Sequence, residues 1–241
     1  MTGPRVLPPA LAERVRAYVA AGHGPVPARP AATVVLVRDG EGGVEVYVQR
    51  RHASMPFAAG MLAFPGGRVD PVDLEPWDGD DAAWAARLGT DHQAARGFVR
   101  AAIRELSEET GLDLRPSDLL PWARWVTPRF EPRRYDTWFF LASLPAGQLP
   151  QDVSGEAESV AWVRPADEAA RAWRGESLMM PPTRIVLEEL AGLGAVAAAV
   201  AAAHGRVIET ILPGWVDDGT EISIVLPGDD GYPGDDPGDL L

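Results

Sequence analysis

The stretch "RELSEETGL", Arg104 to Leu112, decides how the chain is read. It closes a run from Thr90 to Thr110 that predicts a helix, with Thr90 and Gln93 at capping-box spacing and Gly111 where a left-handed cap belongs. Gly97 weakens the first turns by about 1 kcal/mol relative to alanine. At about 100° per residue from Ile103, the side chains of Val99, Leu106 and Thr110 fall within about 60° and form one apolar stripe. Glu105, Glu108 and Glu109 fall at about 200°, 140° and 240°, the opposite side, with Ala101 and Ala102 keeping the preceding turn low. Such like charges repel by a few tenths of a kcal/mol per exposed pair. Two readings stay open: a solvated acidic face, or a hard-oxygen site for Mg²⁺ or Mn²⁺ completed by water and a substrate phosphate.

Upstream, "LAFPGGRVD", Leu62 to Asp70, sets Gly66 and Gly67 between an apolar run and a polar segment. Side-chain-free backbone there suits a sharp bend and close approach to a helix or a phosphate. Before it, "AATVVLVRDG" and "VEVYVQRR" are β-branched runs joined by "DGEGG", a hairpin signal. After it, "DPVDLEPWDGDDAAWAARLG", Asp70 to Gly89, reads as an acidic loop with one short helical turn. "WARWVT", "DTWFFLASL" and "SVAWVRP" are further strands, and "RVIETIL" and "EISIVL" a last strand pair. A first helix lies in "PPALAERVRAYVAAGHG", and a terminal one in "PPTRIVLEELAGLGAVAAAVAAAHG", broken near Gly192 or Gly194. Strands, a central helix and strands again predict a mixed sheet covered by helices. The expected organisation is an N-terminal helix and linker over 1–30, one domain over 31–226 and an acidic tail over 227–241. Within that domain, 68–90 is an insertion and 181–226 a helix and strand-pair extension.

The 241 residues contain no cysteine and no lysine, which excludes disulfides, thiolate metal sites, Schiff bases and a phosphate-loop lysine. The four histidines, His23, His52, His92 and His204, have no metal-ligand spacing. The net charge of −13 is uneven, because nine acids and no base follow Arg206. Such a chain repels nucleic-acid backbones and acidic membranes, and no apolar stretch is strong enough to span a bilayer. The expectation is a cytoplasmic protein with a small-molecule partner, no nucleic acid and no membrane; monomer and homodimer both stay open.

"GG" followed by "RELSEETGL" resembles the Nudix box, G-x5-E-x7-R-E-U-x-E-E-x-G-U with U apolar. Gly67 matches the first glycine, and Arg104, Glu105, Leu106, Glu108, Glu109, Gly111 and Leu112 fill the second half. Thirty-six residues separate Gly67 from Arg104 where the pattern has thirteen, so 23 are inserted. Asp73 stands six positions after Gly67 and Arg96 eight before Arg104, so no glutamate matches the pattern's first one. An interrupted box after "FPGG" resembles the coenzyme A diphosphatase-like branch, as do "SMPFAAGMLAFPGGRVDPVD", "TPRFEPRRYDTWFFLA" and "LMMPPTR". One signature position departs: Pro56 stands where that branch has arginine.

The resemblance implies an α/β/α sandwich with a mixed sheet, and Mg²⁺- or Mn²⁺-dependent hydrolysis of a pyrophosphate bond in a nucleoside diphosphate derivative. Coenzyme A or acyl-CoA comes first as substrate, with ADP-ribose, dinucleotides and NTPs as alternatives. A non-catalytic nucleotide-binding protein of the same fold is the reading from another class. The resemblance places the metal on Glu105, Glu108 and Glu109. Arg104 orients Glu108 through an i,i+4 pair or is an ordinary helix salt bridge. Glu156 and Glu158, before a strand where family members carry a further catalytic glutamate, activate water or are surface acids. Arg129, Arg133 and Arg134 form the densest positive cluster, and Arg50 and Arg51 a second. Their planar forks suit a diphosphate or 3′-phosphate, against the alternative of solvated strand ends. For the whole to hold, Asp70 to Gly89 must loop out so that Gly66 and Gly67 meet the carboxylate end of the helix. Trp77, Trp84, Trp122, Trp125 and Trp162 are core residues or base-stacking platforms.

Overall fold

The computed structural model describes residues 5–55 and 58–233. In chain order the elements are β1 Arg5–Val6, α1 Pro9–Ala21, β2 Arg29–Gly40, β3 Gly43–Arg51, β4 Leu62–Ala63, β5 Gly66–Arg68, α2 Asp81–Leu88 and α3 His92–Thr110. They continue as β6 Leu120–Val126, β7 Tyr135–Ser143, β8 Ala157–Val163, α4 Pro165–Trp173, α5 Pro181–Leu190, α6 Val196–His204, β9 Thr210–Ile211, β10 Gly214–Asp217 and β11 Ile222–Val225. Contacts divide the chain into a larger unit, 31–122 with 138–208, and a smaller one, 1–30 with 123–137 and 209–241.

In the larger unit the strands stand in the order β4-β3-β2-β7-β6, with β8 also pairing with β3 and β5 with β2. The β2–β3 hairpin turns through Glu41-Gly42, its last pair being Gly40 and Gly43, as the glycine-rich joint predicts. Ala32, Val34 and Leu36 of β2 pack with Val99, Ala102 and Leu106 of α3 in one core. Val35 and Val37, on the other face of the strand, are buried too. A strand covered on both sides reads as a continuous apolar run, which is why "TVVLV" lacks alternation. Helix α4, which the sequence analysis did not anticipate, packs on β3.

Between Asp70 and Gly89 the expected loop is instead a 3-10 turn, Pro71–Leu74, followed by the full helix α2. Trp84, Ala85 and Leu88 of α2 enter the same core as α3, and that burial converts an acidic segment of modest propensity into helix. Arg96 clips this segment down, with Nε on Asp81 at 3.1 Å and Nη1 on the Leu74 carbonyl at 2.9 Å. Gly97, a weakness by propensity, is required by packing: a Cβ there would lie 2.8 Å from Leu74 and 2.9 Å from Val69. The α3 cap is Asp91 rather than Thr90, its Oδ1 accepting from Ala94 N at 2.8 Å. The carboxylate outcompetes the hydroxyl one residue earlier. Gly111 closes α3 with φ 70°, and its N–H donates to Ser107 O.

The smaller unit holds the sheet β1-β11-β10 and a core of Ala12, Val15, Phe130 and Ile222. Here the last strand pair is corrected. "EISIVL" pairs with Gly214–Asp217 across the "DDGT" turn, whereas Thr210–Ile211 of "RVIETIL" runs parallel to β6. Trp84, Trp122 and Trp125 are buried, Trp77 donates to Asp81, and Trp162 packs edge-on against Tyr47. Among the described residues no helix is long and apolar enough to cross a membrane.

Candidate functional site

Strand β5 brings Gly66 and Gly67 against α3, as the loop-out expectation required. Gly66 N–H donates to Glu109 Oε2 at 2.9 Å. A Cβ on Gly67 would sit 2.4 Å from the Glu105 carboxyl carbon, so only glycine lets that carboxylate lie on the turn.

The three glutamates differ in environment, a difference that helix periodicity alone conceals. Glu108 is exposed, Glu105 half-buried, and Glu109 only 4% exposed. Helix α3 is covered along a second side by the glycine turn and β3, so one carboxylate of the acidic face is enclosed. Burial pushes the Glu109 carboxyl up to about 7, although the Gly66 N–H, Gln49 and the charge of Arg51 pull the other way. Burial also raises Glu105, against the opposing pull of Arg104.

Arg104 is the hub. Its guanidinium reaches Glu105 at 2.9 Å and Glu108 at 3.1 Å, the i,i+4 contact. It also donates to the Arg68 carbonyl at 2.9 Å and takes Asp73 with Nε at 3.1 Å and Nη2 at 2.8 Å. Asp73 is 1% exposed and accepts a further bond from Asp70 N. Hydrogen bonds to Asp73 and Glu105 hold the Arg104 proton more tightly than usual. Asp73, six positions after Gly67, thus sits on Arg104 from 31 positions earlier in the chain.

Strand β3 presents alternate residues Tyr47, Gln49 and Arg51 on one face. Gln49 and Arg51 both hold the Glu109 proton affinity down, and the buried Tyr47 hydroxyl, raised to about 12 chiefly by burial, senses Asp152 and Glu109. Gln49 escaped the sequence reading, although one amide inside an apolar strand was its trace. So did Asp152, whose loop is stitched to the end of α3 by Gln151 N on Thr110 O (3.0 Å) and Val153 N on Glu109 O (3.3 Å).

The remaining predicted residues lie as follows. Arg50 donates from Nη1 to Gly60 O at 3.0 Å. Glu156 and Glu158 are exposed at the start of β8, which pairs with the end of β3; Glu158 is the extra residue of a bulge there. Pro56 lies outside the described residues. Arg129, Arg133 and Arg134 belong to the smaller unit. Arg134, 2% exposed, is committed to backbone, donating to Thr127 O at 3.0 Å and Val26 O at 2.8 Å. A cleft of 590 Å³ between the ends of α2 and α6, floored by Trp138, contains none of the predicted residues.

The donors around the turn suit a hard divalent cation. The charges of Asp70 and Glu108 add to the raised proton affinity of Glu105, and that of Glu105 to that of Glu109; all four offer carboxylate oxygen. No three such side chains converge as a finished cage among the described residues, Glu105 and Glu108 being held by Arg104.

The chain is similar to known proteins in sequence and in fold. A NUDIX hydrolase from Alicyclobacillus acidocaldarius superposes with a TM-score of 0.59 at 26% identity, over 74% of this chain and 96% of that one. "Putative nudix hydrolase 7" of Caenorhabditis elegans is 23% identical over 172 residues, 57% of this chain, which spans about half (52%) of that protein's length. The family model described as NUDIX domain matches residues 27–181, which contain the glycine turn, the Arg104 hub and all three glutamates. With the glycine turn set against the carboxylate face of α3, and most of the chain matched by the model, the protein belongs to the NUDIX family.

Proposed function

We propose that the protein hydrolyses a pyrophosphate bond in a nucleoside diphosphate-linked small molecule with the help of Mg²⁺ or Mn²⁺. The observation that carries this reading is the meeting of the Gly66-Gly67 turn with the carboxylate face of α3. Glu105, Glu108 and Glu109 would hold the cation, which supplies charge neutralisation at the phosphate oxygens and activation of water. The chain's own residues prepare that event. Gly66 N–H fixes one Glu109 oxygen, and Arg104 holds Glu105 and Glu108. Asp73 holds the guanidinium from its other side, so Arg104 would stay beside the site as a positive charge for a phosphate oxygen. Glu156, Glu158 and Asp152 are the candidates for accepting the proton of the attacking water.

Coenzyme A and its thioesters are the first substrates to test, on the likeness of "SMPFAAGMLAFPGGRVDPVD" and "LMMPPTR" to that branch. Arg50 and Arg51 of the larger unit are one candidate pair of phosphate contacts, and Arg129 and Arg133 of the smaller unit a separate one. The absence of three converging acids among the described residues favours a second reading, a nucleotide-binding protein without turnover. A screen of CoA, acetyl-CoA, ADP-ribose, NADH, diadenosine polyphosphates and NTPs with each metal decides between them. Turnover that splits the pyrophosphate bond, read by chromatography of the nucleotide product and lost in Glu109→Gln, supports the hydrolase. No turnover on any substrate, together with a rise in melting temperature on adding a nucleotide, supports the second reading.

A further inference from the structure

We propose that the cleft between the ends of α2 and α6 is a second ligand site, independent of the hydrolytic reading, for an organic phosphate: a dianionic head on an apolar or aromatic body. The cleft lies wholly in the larger unit and shares no residue with the glycine turn or the carboxylate face of α3. Its volume of 590 Å³ falls in the range of small-molecule sites. The floor is apolar, with Trp138 2% and Leu88 4% exposed. The rim carries Arg87 from the last turn of α2, Arg206 just beyond α6, the His204 ring and the Ser117 hydroxyl.

The chain holds 35 Asp and Glu against 22 Arg, yet among the described residues no acid lines the cleft. An anion repelled by the chain as a whole is met here by positive charge. Arginines in a last turn ordinarily offset the carbonyl end of their helix. Arg87, however, bonds no carbonyl and pairs with no acid among the described residues: its guanidinium lies over the Trp84 ring, 4.6 Å from the centre. Arg206 lies in the same way over Trp122, at 4.4 Å, held there by Glu189, which also accepts from Trp122 Nε1 at 2.7 Å. A guanidinium seated on an indole face is held in place while its N–H edge remains able to donate. Partial burial lowers the proton affinity of Arg87, and a bound anion would restore it. Two such forks match the charge and the oxygen geometry of a phosphate monoester, and the apolar floor matches its body.

The test is saturation-transfer NMR on full-length, metal-free protein titrated with phenyl phosphate, with inorganic phosphate as competitor. Saturable binding is expected, weakened about 10-fold or more in Arg87→Gln, an exposed position where folding is not at stake. Ala86→Trp, which keeps both arginines and narrows the cleft, is expected to weaken it as much. Arg51→Gln, beside Glu109, is expected to change nothing. Inorganic phosphate is expected to bind at least about 10-fold more weakly than the ester, because it has no body to bury. No saturable binding by wild type overturns the proposal, as does binding that survives Arg87→Gln or Ala86→Trp. Binding lost in Arg51→Gln, or equal affinity for phosphate and its phenyl ester, overturns it too. Should Ala86→Trp not fold, Arg87→Gln and the comparison of the two phosphates decide.

Discussion

Replacing either glycine of the turn by alanine adds the same methyl group to adjacent residues, yet the structure predicts opposite failures. At Gly66 the new Cβ would lie 2.4 Å from the Ala32 carbonyl oxygen and 2.7 Å from Thr33 Cα, and φ there is 155°, which L-residues rarely adopt. Backbone cannot step aside, so overpacking of about 1–3 kcal/mol adds to about 1–2 kcal/mol of strain. At roughly 2–4 °C per kcal/mol for a chain this size, Gly66→Ala should melt about 5–15 °C lower. At Gly67 the obstacle is the Glu105 carboxylate, 2.4 Å away and at the end of a flexible side chain. Restoring an ordinary contact of about 3.5 Å moves that carboxylate by about 1 Å. The loss in melting temperature should stay within about 4 °C, while turnover falls about 100-fold, the usual consequence of a misplacement of that size. Differential scanning fluorimetry and chromatography of the nucleotide product on both variants make the comparison. Equal melting temperatures for the two, or full activity in Gly67→Ala, would refute the reasoning.

Three further outcomes are expected. Asp73→Ala leaves the part-buried Arg104 without its main partner and should cost about 1–3 kcal/mol, read as a melting temperature several degrees lower. Glu108→Gln, at a side chain 59% exposed, should leave stability within about 0.5 kcal/mol of wild type and still abolish most metal-dependent turnover. In metal-free protein the Glu109 carboxyl, raised from 4.5 to about 7, binds its proton more tightly when folded. Its contribution is present below pH 4.5 and is lost as pH rises through about 7, on the order of 3 kcal/mol. Denaturant melts should therefore show Glu109→Gln gaining on wild type between pH 5 and pH 8 without metal, and Mn²⁺ affinity of the wild type rising over the same interval.

Much of the site was legible because its signals are local. Arg104 to Leu112 fixes helix, face and cap within nine residues, and the glycine pair announces close approach by its lack of side chains. The β2–β3 hairpin was legible for the same reason. What escaped depends on packing rather than on local pattern. Helix α2 docks Trp84 and Leu88 into the core of the α3 that follows it, and Glu109 is buried because β3 and β5, distant in sequence, arrive over it. Asp73 could be placed by spacing but not assigned, since 31 residues separate it from the arginine it holds. Arg134 reads in sequence as a phosphate contact like its neighbours, and only its two carbonyl partners show what it is bound to.

That separation of 31 residues has a consequence for the order of assembly. Closing a loop of 31 rather than the pattern's eight adds only about 1.2 kcal/mol of chain entropy, and the docking of α2 on α3 offsets it. The rate is affected more than the equilibrium. Helices α2 and α3 are neighbours in sequence and can condense first, whereas the Asp73–Arg104 and Gly66–Glu109 contacts must wait for the wider ring to close. The catalytic corner should therefore be among the last parts of the larger unit to form and the first to open. Amide exchange should be faster at Gly66 to Asp73 than at Val99 to Leu106, and a bound cation should narrow that gap by tying the ring shut.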